Sequence, residues 1–258
     1  MHERWKGIDM AVSLRFTGSR DRAESLDREL ARVGLDTLSI WQFPSPVYPF
    51  LRDRLPRLDG GMRGSRGFFN SGFGHYRAWK TCFELGAGHC LVVEDDVRFM
   101  RSLPALDAGL AALPGDYDIA LLDKIMCADA DADKIARFCA APEARVCDGW
   151  IRPWKFDGAP RSFAAYMLSR KGMSALIARF ESSVSARPRW RLRVVDALLR
   201  GNRLHADVNL YLAHPNLAEQ SLVRTARPST SGSGHDSNDG HLARFYRAIG
   251  CPPEDYGE

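Results

Sequence analysis

The sequence predicts an α/β fold forming a single domain over residues 1–258, and three observations lead to that prediction. Runs with strand patterning alternate with runs of helical patterning, the order that builds a sheet covered by helices. The apolar run 90–93 (CLVV) is short and bounded by turn formers and acids, as befits a strand buried on both faces. The composition, 45% hydrophobic and 26% charged over 258 residues, suits one large core, and no internal repeat or linker divides the chain.

In order, residues 10–16 (MAVSLRF) read as the first strand. Ser19 is placed to cap the next helix, since its hydroxyl can accept from an unpaired N–H of the first turn. Ala23, Leu26, Leu30 and Val33 recur on one face of that helix, and Gly34 ends it. Residues 37–41 make a second short strand. Pro44, Pro46, Pro49 and Pro56 then exclude regular structure, and 60–74 reads as a flexible glycine-rich stretch. A helix over 75–84 stops at Gly86 and Gly88 and leads into the strand 90–93. Beyond it, 102–113 reads as a helix, 117–122 as a strand, and 163–168 as a strand passing into a helix over 171–180. Residues 191–200 form a basic amphipathic helix and 208–213 a late strand. The Ser-, Gly- and Asp-rich segment 228–240 reads as a mobile loop, and 241–249 as a last helix.

Composition removes several function classes. Lys and Arg number 36 against 32 Asp and Glu, a net charge of +4 that tolerates an acidic partner without calling for nucleic acid, and none is expected. No apolar run is long enough to span a bilayer, and the opening MHERWKGIDM holds no stretch long enough for a secretory signal. The cytoplasm is the expected compartment. Cys82, Cys90, Cys127, Cys139, Cys147 and Cys251 lack zinc-site spacing and read as reduced, mostly buried thiols. The chain has no G-x-x-x-x-G-K-[ST], no G-x-G-x-x-G after its first strand and no G-x-S-x-G. These absences argue against a P-loop nucleotidase, a dinucleotide enzyme and an α/β serine hydrolase.

The most informative segment is CLVVEDDV, residues 90–97, where a hydrophobic strand ends in Glu94, Asp95 and Asp96. Ligands of open α/β sheets bind beyond the carboxyl ends of the strands. Carboxylates there need a partner, and a hard divalent cation such as Mn²⁺ or Mg²⁺ accepts their oxygens while keeping positions for substrate phosphates. The alternative is a solvated turn after a core strand.

Other segments fit around this one: GFFNSGFGHYRAWK at 67–80, SFAAYMLSRKG at 162–172, Val194-Val195-Asp196, and AHPNLAEQS at 213–221. With the opening SLRFTGSRDR, they resemble the spaced motifs of glycosyltransferase family 25, the bacterial lipooligosaccharide and collagen galactosyltransferases. The likeness runs from about Ala11 to Ser221. Gly74 replaces the serine of the family's S-H-x-x-W segment, Asn70-Ser71 replaces its usual Gly-Cys, and the first strand lacks the Asn-Leu-x-Arg type of sequence.

This resemblance implies a GT-A fold, a Rossmann-like mixed sheet flanked by helices that binds a UDP-sugar and a divalent metal. It makes Glu94, Asp95 and Asp96 the D-x-D equivalent, with Glu94 and Asp96 toward the metal and Glu94 or Asp95 toward the nucleotide. Arg15, Arg20, Asp21 and Arg22 fall where such enzymes meet the nucleotide, and a helix start favours anions there; a solvated helix face is the competing reading. His75, four residues before Trp79, is implied near the donor, against a structural histidine beside a core tryptophan. Asp196 matches an acceptor-side carboxylate suited to act as base, against a helix N-terminal charge. His214 and His235 are candidate third metal ligands by position.

Tyr166 reads as core. Trp150, Trp154 and Phe156, interleaved with Arg152 and Lys155, read as a loop able to face a sugar. The leading expectation is a metal-dependent inverting transferase moving a hexose, galactose above others, onto a saccharide acceptor such as a lipooligosaccharide. Two alternatives stand beside it. One is a metal-dependent phosphoryl-transfer enzyme drawing on Asp116, Asp118 and Asp123. The other is a non-catalytic module using the basic stretch 187–193 (RPRWRLR) on nucleic acid or an anionic membrane. The same stretch suits peripheral contact of the enzyme with the inner face of the cell membrane.

Overall fold

Strand periodicity sorts the apolar residues into two layers. The computed structural model describes residues 3–16, 20–42, 63–123, 145–147, 149–152, 163–185, 208–214 and 216–220. Its strands are β1 (Met10–Phe16), β2 (Leu38–Gln42), β3 (His89–Glu94), β4 (Val97–Phe99), β5 (Ile119–Leu121), β6 (Arg145–Cys147), β7 (Trp150–Arg152), β8 (Ala165–Ser169), β9 (Leu210–Ala213) and β10 (Ala218–Gln220). Its helices are α1 (Arg20–Val33), α2 (Arg63–Glu84), α3 (Leu103–Ala111) and α4 (Arg170–Ser185). Along β3, Cys90 and Val92 join a core with Trp79 and Cys82 of α2 and Met173 and Leu176 of α4. Leu91 and Val93 point the other way, into a core with Leu26 and Leu30 of α1 and Leu106 of α3. A central strand buried on both sides explains its unbroken apolar run.

Eight strands form a mixed sheet in the order β2-β1-β3-β8-β5-β9-β7-β6, and β4 pairs with β10 in a second, two-stranded sheet. β1 runs parallel to β2 and β3, and β8 runs antiparallel between β3 and β5. β9 is parallel to β5. The carboxyl ends of β1, β3, β5 and β9 therefore share one edge. The chain after β9 is drawn along that edge: the Leu217 N–H donates to the Leu122 carbonyl (2.8 Å), and the Met100 N–H to that of Leu217 (3.0 Å).

Most elements match the sequence reading. Ser102 caps α3 by accepting from the Ala105 N–H, and Gly34 and Gly86 adopt positive φ just past α1 and α2. Two expectations are corrected. Residues 63–74, read as flexible, are the first half of α2. Glycine lowers helix propensity by roughly 1 kcal/mol per residue, but packing overrides it. Gly74 lies so close to β2 that an added Cβ would stand 2.4 Å from the Gln42 side-chain nitrogen. The second correction concerns Trp150 and Arg152, read as a loop, which belong to β7. Trp150 is fully buried and its indole N–H donates to the Gly109 carbonyl. Trp154, Lys155, Phe156, 191–200, 228–240 and 241–249 lie outside the described residues.

Gly172 marks a tighter approach than Gly74. A Cβ there would lie 1.9 Å from the Asp118 carbonyl oxygen, backbone that cannot swing aside as the Gln42 side chain can. Gly172→Ala is expected to cost about 1–3 kcal/mol by forcing α4 off the sheet, measured as a lowered denaturation midpoint. An unchanged midpoint would show that α4 shifts without penalty.

Candidate functional site at the carboxyl edge of the sheet

The acidic triplet sits where β3 turns into β4, and strand alternation separates its members. Glu94 follows Val92 toward α2, whereas Asp95 follows Val93 toward α1. On the α1 side, one Arg22 nitrogen lies 2.5 Å from Asp95 Oδ1 and 2.6 Å from Asp96 Oδ2. The second Asp95 oxygen accepts the Phe16 N–H at 2.8 Å. Asp95 is thus tied to protein groups through both oxygens, fastening the end of β1 to the turn.

Burial is the largest influence on the Asp95 carboxyl and pushes its pKa up, against the pull of Arg22 and the Phe16 N–H. For Arg22 burial works against the charge, but the nearby Asp96, Asp95 and Glu94 carboxylates outweigh it, and its pKa rises. The directions agree physically, because one guanidinium serves several acids. The ion pair persists, and leaving Asp95 buried without Arg22 would be costly.

On the α2 side, His75 Nε2 lies 2.9 Å from Glu94 Oε1, and His75 Nδ1 lies 2.8 Å from the Tyr166 hydroxyl. The Trp79 indole N–H donates to that hydroxyl at 2.7 Å. Residues 75 and 79 meet because they are one helical turn apart, and Tyr166 reaches them from β8, where it stands opposite Val92.

The remaining sequence candidates are dispersed. Arg15 is buried and committed to Asp27 at 2.6 Å and Ser13 at 3.1 Å, with its guanidinium 5.9 Å from the Trp41 ring centroid. Arg20, at the start of α1, is exposed and pairs with Glu24 one turn on. His214 follows β9 and donates its backbone N–H to the Gly149 carbonyl. Among the described residues, no three His, Cys, Asp or Glu side chains gather as a metal cage. Asp196, His235 and the basic stretch 187–193 lie outside the described residues.

Of the acids considered for phosphoryl transfer, Asp118 is engaged with the Ser169 hydroxyl, Lys171 and the Asn209 N–H near the start of β5. Asp116 accepts from the Tyr211 hydroxyl. Asp123 is different, being fully buried just past the carboxyl end of β5, on the edge that carries the triplet. The sequence signal for it existed, since YDIALLD ends an apolar run in an acid much as CLVVED does. Asn216, fully buried after β9, joins the same edge.

The donor set at Glu94 and Asp96 is carboxylate oxygen at i and i+2. It fits a hard cation of the magnesium kind, which needs only one or two protein carboxylates when substrate phosphates and water supply the rest. It does not fit a cation caged by protein alone.

No family model and no curated protein matches the chain. Among solved structures, one similar chain is a glycosyltransferase involved in the glycosylation of the major capsid of PBCV-1, with a TM-score of 0.44 and 8% identity, covering 84% of this chain and 94% of that one. Another is mouse xyloside xylosyltransferase 1 in its apo form, with a TM-score of 0.36 and 14% identity, covering 95% and 82%. Similarity this low assigns no activity, so the functional case rests on the site itself.

Proposed function

We propose that the chain is a glycosyltransferase of GT-A type, resembling family 25, that moves a hexose from a UDP-sugar to a saccharide acceptor with inversion. The observation that carries this reading is the end of β3, where adjacent acids are divided between a partly buried guanidinium and a buried imidazole at the carboxyl edge of the sheet. In this reading Asp95 and Arg22 hold the βα junction in shape. Glu94 and Asp96 would hold Mn²⁺ or Mg²⁺. That cation supplies electrophilic stabilisation of the diphosphate as it leaves. The positive charge of Arg22, 2.6 Å from Asp96, keeps the acidic turn from repelling the diphosphate. Galactose as the sugar, Asp196 as the base that takes the acceptor hydroxyl proton, and a lipooligosaccharide as acceptor follow from the family likeness.

The experiment is a donor screen that measures UDP release from several nucleotide sugars with and without Mn²⁺. Release stimulated by Mn²⁺ with at least one UDP-hexose is expected. No release from any sugar nucleotide, together with no affinity for UDP, would overturn the reading.

A further inference from the structure

Resting on the assignment of Glu94 to the donor site, we infer that Trp79, Tyr166 and His75 form a one-way hydrogen-bond relay that fixes the His75 tautomer and thereby positions the Glu94 carboxylate. These three are positioning residues, acting through Glu94 rather than on the substrate.

The polarity follows from the chemistry of each group. An indole N–H can only donate, so the Trp79 bond at 2.7 Å makes the Tyr166 oxygen an acceptor. The single Tyr166 proton then has His75 Nδ1, at 2.8 Å, as its acceptor. Among the described residues this hydroxyl has no other hydrogen-bond partner, and Tyr166 is fully buried, so water cannot offer one. With Nδ1 accepting, the proton of the neutral ring is on Nε2, where it donates to Glu94 Oε1 at 2.9 Å. Every donor in the chain points toward the acid.

The opposite tautomer fails at both ends. A proton on Nδ1 would aim two N–H groups at the Tyr166 oxygen and strand the hydroxyl proton in the core. It would also set the bare Nε2 lone pair against a carboxylate oxygen. His75 is 1% exposed, and Phe163 stands edge-on to its ring with centroids 6.0 Å apart, so solvent does not relieve either conflict. The relay spans α2, β8 and the end of β3, so the rigidity of two core elements is delivered to one oxygen at the site. Orientation of a ligating group by partners of this kind is commonly worth 10–100-fold in metal affinity.

The test uses the full chain labelled with ¹⁵N at histidine, with the His75 ring nitrogens read from long-range proton–nitrogen correlations and assigned by their loss in His75→Gln. The wild type is expected to show a protonated Nε2 and a bare Nδ1. Tyr166→Phe keeps the aromatic packing but removes the hydroxyl. It is expected to move the Nδ1 resonance as that nitrogen loses its donor, with the proton still on Nε2 beside Glu94, and to weaken Mn²⁺-dependent UDP binding by about tenfold or more. His75→Gln keeps an N–H donor near the Nε2 position without needing Tyr166. It should lose less affinity than Tyr166→Phe, and adding Tyr166→Phe to it should cost nothing further.

A wild-type Nδ1–H tautomer overturns the relay. So does a Tyr166→Phe penalty of equal size in both backgrounds, which would mark Tyr166 as packing alone. If the tautomers behave as expected but the wild type binds no UDP with Mn²⁺, the relay stands and the UDP-sugar reading falls.

Discussion

Asparagine at position 96 is expected to abolish Mn²⁺-dependent UDP binding and sugar transfer together, with turnover reduced on the order of 10³-fold. Asp96 and Glu94 are the carboxylates that the proposed reading gives to the cation, and an amide oxygen without charge holds a hard cation far more weakly. The substitution is also well placed to be interpretable. Arg22 retains its contact with Asp95 at 2.5 Å, and Asp95 retains the Phe16 N–H, so the turn keeps its fastening after Asp96 loses its charge. Calorimetry of UDP with Mn²⁺, beside turnover at saturating donor, separates the outcomes. Normal UDP binding and normal transfer by Asp96→Asn would remove the metal-centred mechanism.

Asp196→Asn is expected to do something different. UDP and Mn²⁺ affinity should stay near the wild-type value while turnover falls by on the order of 10²–10⁴, the usual worth of a positioned general base. In the proposed reading the acceptor hydroxyl loses its proton to Asp196 as it attacks the anomeric carbon, and asparagine cannot take that proton. The same two measurements decide the matter. If Asp196→Asn lost UDP affinity as severely as Asp96→Asn, Asp196 would belong to the donor site and another group would serve as base.

The range over which each interaction acts sets how much of the fold and the site is legible in the sequence. The strands β1 and β3, the helical run that begins at Ser102 and the stops after α1 and α2 are written in local pattern. Burial on two faces demands an apolar run, an orphan N–H demands a short polar side chain, and a left-handed terminus favours glycine. For the same reason the acids at the end of 90–93 mark the candidate site, since charge at the end of a core strand requires a partner. Local pattern also misleads. The glycines of 63–74 signal flexibility when read alone, yet they continue α2, because Gly74 permits the close approach to β2 at Gln42.

What the triplet does was decided by tertiary structure. Three adjacent acids look equivalent in sequence, but the two-residue period of a strand sends Glu94 and Asp95 to opposite faces, where different helices meet them. Arg22 comes from α1, 72 to 74 positions away in the chain by numbering, and converts Asp95 into a buried structural pair. Tyr166 reads as an ordinary core residue until the antiparallel insertion of β8 beside β3 sets it opposite Val92, with its hydroxyl between Trp79 and His75. By itself the sequence determined which edge of the sheet carries the acidic triplet, because burial and local hydrogen bonding act over a few residues. Only the tertiary structure decided which acid is fastened, which is aimed, and by what. Those outcomes depend on pairings between elements far apart in the chain, and no local periodicity encodes them.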